Sequence, residues 1–270
     1  MMHLTTTPDL RRPHWKDMAD PKEIMKTRAY PENAFGGFTR CDSTVAFYGR
    51  INAVAEPDAV VLDVGCGRGG SFIETDGKLS YRVKLRNFRD RVGKVIGIDV
   101  DEAGTENTFL DEFRVIEDLD HWPVEDASVD VLMADFVMEH VDDPAAFLAE
   151  AARVVKPGGC IALRTPNRWS YVSITASILP NRTHGAVTAR VQASRKEEDV
   201  FPVRYRCNSR RVLQKALDRA GFDSAVWTME AEPGYLSFSS TIYRLGSVIH
   251  ALMPPVFRTT LLAFGHRRDS

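Results

Sequence analysis

The stretch VVLDVGCGRGG, from Val60 to Gly70, combines residue types that can bind a ligand through the backbone. Glycines at positions 65, 67, 69 and 70 follow an apolar run with the length and composition of a buried strand. A glycine lacks a Cβ atom, so it tolerates positive φ angles and lets a ligand approach the main chain closely. Asp63 places a carboxylate beside these glycines. The segment therefore predicts a ligand-binding loop at the end of a strand.

The glycine spacing fits two classes of cofactor. Gly65, Gly67 and Gly70 satisfy the GxGxxG pattern of nicotinamide dinucleotide sites. Asp63 followed by glycines at 65, 67 and 69 satisfies the acidic-x-Gly-x-Gly-x-Gly pattern of S-adenosylmethionine sites. Dinucleotide folds place the ribose-binding acid about 20 residues beyond the glycines, whereas Asp99 lies 29 residues beyond Gly70. Because a carboxylate attracts a ligand with an ammonium and a sulfonium, Asp63 favours S-adenosylmethionine. An NAD(P)-dependent oxidoreductase remains the alternative.

Further motifs extend this pattern along the chain. VLDVGCGRGG, GIDVDE, EHV, VVKPGG and RTPN follow one another between residues 60 and 167. The run DLDHWPVEDASVDVLMADFVMEHVDDP, which begins at Asp118, lies among them. In this combination the chain resembles class I S-adenosylmethionine-dependent methyltransferases of the broad type 11 group. The resemblance implies an enzyme with S-adenosylmethionine as cofactor.

The resemblance also implies the residues that contact this cofactor. The loop after the first strand would line its methionine half, and Asp63 would order the loop and the amino group. Asp99 would accept hydrogen bonds from both ribose hydroxyls, because a carboxylate offers two acceptor oxygens. Asp118 would accept from the adenine amino group, with Leu119 at the ring. The full implied set is Asp63, Gly65, Cys66, Gly67, Gly69, Asp99, Val100, Asp118, Leu119, Asp135 and Phe136.

One histidine is placed to move a proton. Methyl transfer from a sulfonium is an in-line displacement in which orientation supplies much of the acceleration, so a general base is optional. If the acceptor is a hydroxyl, His140, at the end of the predicted fourth strand, is the candidate base. The alternative is that Glu139 and His140 only orient the loop, with Glu139 holding backbone amides.

The elements that position these residues are short apolar runs separated by helical segments. Strands with apolar residues on both faces, alternating with helices, indicate a parallel sheet that is covered on both sides. We predict a Rossmann-like α/β fold of the class I methyltransferase type, with a seven-stranded, mostly parallel sheet. The predicted strands are 59–64, 94–100, 129–135, 160–166, 225–230 and a final strand at 259–266.

Two helices are clear in the sequence. Asp143 caps the first, and KPGG at 156–159 stops it after an apolar stripe that includes Val155. Asn208 or Ser209 caps the second, which ends at Gly221. The helix that follows Asp99 is expected to be abbreviated.

The remaining segments predict a cap over the ligand edge. Residues 1–50 read as an N-terminal arm and a cap helix, and residues 51–270 as the methyltransferase domain. Insertions at about 168–207 and 235–256 follow predicted strands, so both emerge at the carboxyl edge of a parallel sheet. Apolar residues at helical spacing in 242–256 predict a core helix; the alternative is an interfacial helix that contacts a bilayer or a lipid-linked acceptor.

Composition narrows the function further. The chain has 270 residues, 44% of them hydrophobic, and a formal net charge of −2. This near-neutral charge gives no overall positive electrostatic potential that would attract nucleic acid. The residues DFVM after the fourth strand are also not a base-methylating motif. Four scattered cysteines and no apolar run of 18 residues indicate a cytoplasmic protein, and no spacing predicts a metal site. We expect O-methylation of a small-molecule, glycan-type or lipid-type acceptor; an S-adenosylmethionine-binding protein without turnover is a further alternative.

Overall fold

The computed structural model describes residues 21–69, 81–178 and 202–269, which contain one seven-stranded sheet. The strands are β1 (Val60–Val64), β2 (Lys94–Asp99), β3 (Glu112–Val115), β4 (Val129–Asp135), β5 (Val155–Pro166), β6 (Phe222–Met229) and β7 (Thr260–Arg267). Their spatial order is β3-β2-β1-β4-β5-β7-β6. Only β7 runs antiparallel to its neighbours, β5 and β6. The predicted Rossmann-like class I methyltransferase fold is confirmed.

All six predicted strands are present, and β3 is an addition. Its sequence EFRV is charged and half-buried, because β3 is the edge strand beside β2. β5 also begins five residues before its predicted start. The chain leaves the preceding helix at Val154, and Val155 already pairs with Val129. The helix therefore ends just before KPGG, as predicted, whereas the prediction that Val155 belongs to the helix was wrong.

Seven α-helices lie within the described residues. They are α1 (Pro21–Ala29), α2 (Ser43–Val54), α3 (Tyr81–Arg86), α4 (Pro144–Val154), α5 (Tyr171–Ile178), α6 (Arg210–Arg219) and α7 (Ser240–Ala251). Asp143 caps α4 as predicted, since its side chain accepts from the amides of Ala145 and Ala146. Ser209 occupies the N-cap of α6 without a side-chain hydrogen bond. After Asp99 the chain forms only a five-residue 3-10 helix, Glu102–Glu106.

Helices cover both faces of the sheet. On one face, Phe147 and Leu148 of α4 and Leu213 and Leu217 of α6 share a buried cluster with the sheet. On the other, Phe47, Tyr48 and Ile51 of α2 pack with Leu85 of α3 against β1, β4 and β5. Helix α2 runs through the predicted boundary at residue 50, and its residues belong to the main core.

Helix α7 lies at the carboxyl edge of the sheet. β6 ends at this edge because it runs parallel to β5, and β7 begins there. Tyr243 of α7 packs with Met25 and Tyr30 of the α1 region. Lys26 Nζ lies 3.2 Å from a carboxylate oxygen of Glu232. Together these contacts place α1 and α7 side by side over the end of the sheet.

The apolar stripe of α7 is not core. Ile242, Leu245, Ile249 and Leu252 are exposed, and the buried side of the helix carries Tyr243, Gly246 and His250 instead. The expectation of a core helix was wrong because periodicity shows that a helix has an apolar face but not which face meets the protein. None of the helices in the described ranges has the length and apolar composition needed to cross a bilayer.

Parts of three predictions lie outside the described residues. These are the N-terminal arm at 1–20, Gly70 of the GxGxxG pattern, and positions 179–201 of the first insertion.

Candidate functional site

The glycine loop follows β1 directly and lies at the carboxyl edge of the sheet. Gly65, Gly67 and Gly69 have φ angles of +68°, +49° and +77°. The Gly65 amide donates to the Ile98 carbonyl of β2 at 2.8 Å. The Asn107 Nδ2 atom donates to the carbonyls of Cys66 (3.0 Å) and Gly67 (3.2 Å). The loop is therefore held on its protein side by β2 and by one buried asparagine.

The three glycines differ in what surrounds them. A Cβ on Gly65 would lie 2.5 Å from Val137 Cγ2, and one on Gly69 would lie 2.4 Å from Asn107 Oδ1. A Cβ on Gly67 would meet no atom of the described residues within 4 Å. Close packing within the protein thus leaves no room for a side chain at Gly65 or Gly69. Gly67 instead faces space in which a ligand can approach the main chain.

Asp99 ends β2 and organises the loop. It is 8% exposed. Its Oδ2 accepts from the Gly67 amide at 2.8 Å, and its Oδ1 accepts from the Asp101 amide at 3.1 Å. Each carboxylate oxygen has a second lone pair, so both oxygens can still accept from a ligand. The geometry fits a pair of adjacent hydroxyl donors.

Asp63 is a carboxyl group with strongly perturbed acidity at this edge. It lies in β1 between Gly97 of β2 and Met133 of β4. Burial raises its pKa from 3.8 to about 7, and the nearby carboxylates of Asp135 and Asp99 add to the shift against the opposing charge of Arg86. A cationic ligand beside Asp63 would relieve this unfavourable electrostatic environment.

The Cys66 side chain does not face the loop's open side. Its thiol is buried in the cluster with Leu85, Phe88 and Leu110. Burial raises the pKa of this thiol, and the carboxylates of Asp63 and Asp99 raise it further. The Cys66 side chain therefore anchors the loop in the core, and its main chain forms part of the loop.

Asp135, at the end of β4, belongs to a buried ion pair. Arg164 of β5 donates through Nε to Asp135 Oδ1 (2.6 Å) and through Nη2 to Oδ2 (2.7 Å). The Tyr48 hydroxyl also donates to Oδ2, at 2.8 Å. Arg164 Nη1 contacts the hydroxyls of Ser43 and Thr44 at the start of α2. This network fixes α2 to the carboxyl ends of β4 and β5.

Phe136 follows Asp135 with a φ of +58°, a rare conformation for a residue with a side chain. Its amide donates to the Arg164 carbonyl at 2.8 Å. The Arg164 guanidinium carbon lies 4.8 Å from the centre of the Phe136 ring, close enough for a cation–π contact. These two contacts hold the chain as it turns away from β4 beside the glycine loop.

The predicted adenine residues lie at the outer end of the same edge. Val100 follows β2 and is 49% exposed, and Leu119 follows β3 and is 66% exposed. Asp118 is exposed, and its Oδ1 accepts from the Asp120 amide at 2.9 Å in a local turn. Exposed apolar side chains and a carboxylate at one edge are chemically suited to a flat base with an amino group.

Glu139 and His140 follow β4 on the side toward β5. Glu139 Oε2 accepts from the Thr165 hydroxyl at 2.9 Å, and its main-chain carbonyl accepts from the amides of Arg204 and Tyr205. The His140 Nδ1 atom lies 3.1 Å from the Pro202 carbonyl. Its Nε2 lies 4.0 Å from Glu139 Oε1. Glu139 thus contacts a hydroxyl through its side chain and two amides through its main-chain carbonyl.

Two residues of this edge were missed in the sequence. Arg164 carries a charge within the apolar run CIALRTP, and its buried position required an acid on a neighbouring strand. That acid is Asp135, its register partner on β4. Asn107 had no such signal, because its role depends on the path of the loop.

The chain matches the methyltransferase-domain family over residues 36–225. It belongs to this family. The chain therefore contains a methyltransferase domain of the S-adenosylmethionine-dependent kind, as the resemblance implied, and this match favours that cofactor over the nicotinamide alternative.

Curated relatives match part of this chain. A Mycolicibacterium smegmatis protein named "Probable S-adenosylmethionine-dependent methyltransferase" is 37% identical over 116 residues, covering 41% of this chain and 39% of that protein. The ubiquinone biosynthesis O-methyltransferase of Maricaulis maris is 34% identical over 132 residues, covering 46% of this chain and 50% of that protein. This chain thus spans half or less of the length of these relatives.

A solved structure shares the fold of this methyltransferase along most of its length. The S-adenosylmethionine-dependent methyltransferase from Archaeoglobus fulgidus superposes with a TM-score of 0.50 at 18% identity, covering 87% of this chain and 97% of that one. At this identity the likeness concerns the fold.

The carboxyl edge of this methyltransferase fits S-adenosylmethionine. Gly67 leaves the main chain open to a ligand, and Asp99 retains acceptor capacity for two hydroxyls. The raised pKa of Asp63 marks a position where positive charge is favourable. The sulfonium and ammonium of the cofactor suit the position beside Asp63, and its ribose diol suits the acceptors of Asp99.

Proposed function

We propose that this methyltransferase acts on a hydroxyl oxygen of a small-molecule, glycan-type or lipid-type acceptor, and that His140 takes the hydroxyl proton. The observation that carries the proposal is the position of the His140 ring at the end of β4. A carbonyl only accepts hydrogen bonds, so the Pro202 carbonyl favours the tautomer with hydrogen on Nδ1. In that tautomer the lone pair of the imidazole is on Nε2.

Glu139 supports this assignment. Its carboxylate is fixed by the Thr165 hydroxyl, and its Oε1 lies 4.0 Å from His140 Nε2. A carboxylate at this distance stabilises the imidazolium that forms when His140 accepts a proton. The pair therefore has the composition of a base and the group that supports its charged form.

The choice of oxygen has a second support in the relatives. The Maricaulis maris protein, which is 34% identical to this chain over 132 residues, is named as an O-methyltransferase. Nitrogen acceptors that are already deprotonated need no base, whereas a neutral alcohol or phenol must lose a proton as the new bond forms.

We also assign the cofactor contacts from the geometry of the carboxyl edge. Asp99 accepts from the ribose hydroxyls, Asp118 and Leu119 contact the adenine, and Asp63 faces the positively charged methionine end. When bound, S-adenosylmethionine supplies an electrophilic methyl group on sulfur. The chain contributes orientation, which can supply roughly 7–11 kcal/mol of the barrier.

A radiolabel assay tests the proposal. The full chain is incubated with S-adenosylmethionine labelled in the methyl group and a panel of phenols, sugar alcohols, hydroxylated lipids and amines. We expect label on oxygen acceptors, and a loss of about 10²–10⁴-fold in kcat/KM at neutral pH for His140→Gln. The loss should shrink at high pH, where the acceptor hydroxyl ionises without help.

His266→Gln is the matched control. His266 Nδ1 also lies near a carbonyl, that of Gly158 at 3.2 Å, but at the opposite edge of the sheet. This variant should keep wild-type turnover. Label found only on nitrogen, or full activity of His140→Gln at every pH, would contradict the proposal.

A further inference from the structure

The exposed side of α7 and the turn after it form an apolar surface, which we call the α7 face. Its members are Phe238, Ile242, Leu245, Val248, Ile249, Leu252, Val256 and Phe257. Leu245 is 61% exposed and Leu252 is 78% exposed. Five members, from Ile242 to Leu252, lie within or just after the helix. At 3.6 residues per turn they span about a third of its circumference. Isolated exposed apolar residues are ordinary, but a contiguous face of this kind marks an interaction site.

The opposite side of α7 is firmly attached to the protein. His250 Nδ1 lies 2.8 Å from the Ala231 carbonyl, and its Nε2 lies 3.0 Å from the Tyr171 hydroxyl. A Cβ on Gly246 would lie 2.5 Å from Leu236 Cδ1, so the helix packs closely there. The α7 face is therefore presented outward by a fixed helix and cannot rotate into the core.

The segment that carries the α7 face has basic but no acidic side chains, and two carboxylates near the helix, those of Glu23 and Glu232, are bonded to Asn33 and Lys26. Residues 233–268 contain no Asp or Glu but include Arg244 and Arg258. Arg244 and Arg28 of α1 are both exposed and line a cleft of about 510 Å³ between the two helices, beside the apolar side chains of Ile24 and Met25. Neither arginine pairs with a carboxylate among the described residues. An apolar surface beside unpaired guanidinium groups complements an anionic, amphipathic partner.

We propose that the α7 face docks on the surface of an anionic phospholipid bilayer, with Arg28 and Arg244 facing the headgroup phosphates. A second copy of the chain fits less well, because a stable interface uses about 20–30 residues a side and the α7 face offers eight large apolar side chains. A bilayer needs no complementary shape. Because α7 lies at the carboxyl edge, docking would bring the cofactor side of the sheet close to the lipid.

Vesicle flotation of the full chain tests this proposal and requires neither cofactor nor acceptor, so its outcome is separate from that of the proposed function. The probes are large vesicles of phosphatidylcholine alone and of phosphatidylcholine with 30% phosphatidylglycerol. We expect binding to the anionic vesicles that is at least about tenfold stronger than to the neutral ones and that weakens as salt is raised.

Three variants separate the contributions. The triple variant L245S/I249S/L252S should lose at least about tenfold in binding, since each change removes apolar area from the interface. R28E/R244E should lose the preference for anionic lipid. Val54→Ser is the matched control, because Val54 is 41% exposed but precedes β1 at the amino edge. It should float as the wild type does. Melting temperature and cofactor affinity report the fold of each variant.

Three results would overturn the proposal. In the first, the wild-type chain fails to float with either vesicle. In the second, the triple serine variant floats as well as the wild type. In the third, light scattering shows a dimer that the triple serine variant abolishes while vesicle binding is absent, which would assign the α7 face to a second copy.

Discussion

Arg164 and Asp135 form a two-pronged ion pair between β5 and β4, with N–O distances of 2.6 and 2.7 Å. Both side chains are largely buried, and the same guanidinium reaches two hydroxyls of α2. The pair therefore links α2 to the strand ends that carry the site. Its loss should affect the fold and the site together.

Replacing Arg164 with leucine should lower the free energy of unfolding by about 3–5 kcal/mol, because it leaves the Asp135 carboxylate buried without its partner. Urea denaturation measures the change. Lys156→Met is the control, since Lys156 and Asp130 form a more exposed pair at 2.8 Å, and its loss should cost less than about 1 kcal/mol. Equal costs for the two variants would show that the buried pair has no special role.

Gly67→Ala should remove cofactor binding at a small cost in stability. A φ of +49° makes a side chain unfavourable by about 1–2 kcal/mol, and the new methyl group would occupy the open space of the loop. Gly158→Ala is matched, because Gly158 also has a positive φ, +74°, and open surroundings, but it lies at the amino edge. Both variants should lose similar stability in denaturation, and only Gly67→Ala should lose affinity in calorimetry. If Gly67→Ala and Gly158→Ala bound S-adenosylmethionine with equal affinity, the ligand would lie away from Gly67.

Cofactor affinity should depend on pH through Asp63. Its pKa of about 7 without ligand means that it is protonated at lower pH, and a cationic ligand requires the ionised form. The dissociation constant for S-adenosylmethionine should therefore rise by up to about tenfold per pH unit below pH 7, with proton release on binding. Calorimetry in buffers of different ionisation enthalpy measures both quantities. Asp63→Asn should bind weakly at every pH, and an unchanged pH dependence in that variant would exclude Asp63 as the source.

The same group predicts how stability without ligand changes with pH. A carboxyl whose folded pKa lies above its unfolded value binds more protons in the folded state, so its stabilising contribution is present below about pH 4 and is lost as pH rises toward about 7. Asp63→Asn stays neutral throughout. Its melting temperature relative to the wild type should increase from pH 5 to pH 8. A constant difference across this range would show that Asp63 has an ordinary pKa.

The sequence was sufficient for the sheet and the loop because their signals are local. Apolar runs on both faces predicted six strands, and the glycines after β1 predicted a turn at positive φ. It was insufficient where a side chain's role depends on distant partners. The pairing of Asp135 with Arg164 and Tyr48 requires three elements to meet, and β3 is an edge strand without an apolar pattern.

Helix α7 shows a second limit of sequence reasoning. Its apolar spacing identified a helix correctly, but its opposite face carries Tyr243, Gly246 and His250, which are buried by specific contacts with Tyr30, Leu236 and Tyr171. The burial of those residues depends on shape and hydrogen bonding, and hydrophobic periodicity does not record either.

The most direct test of the central claim is calorimetric titration of the chain with S-adenosylmethionine and, separately, with NADH, for the wild type and for Asp99→Ala. The claim is that the carboxylate ending β2 holds the ribose of S-adenosylmethionine at this edge. We expect the wild type to bind S-adenosylmethionine and not NADH, and Asp99→Ala to lose about 100-fold or more in affinity, since two charge-assisted hydrogen bonds are removed. Binding of NADH, or unchanged affinity in Asp99→Ala, would contradict the claim.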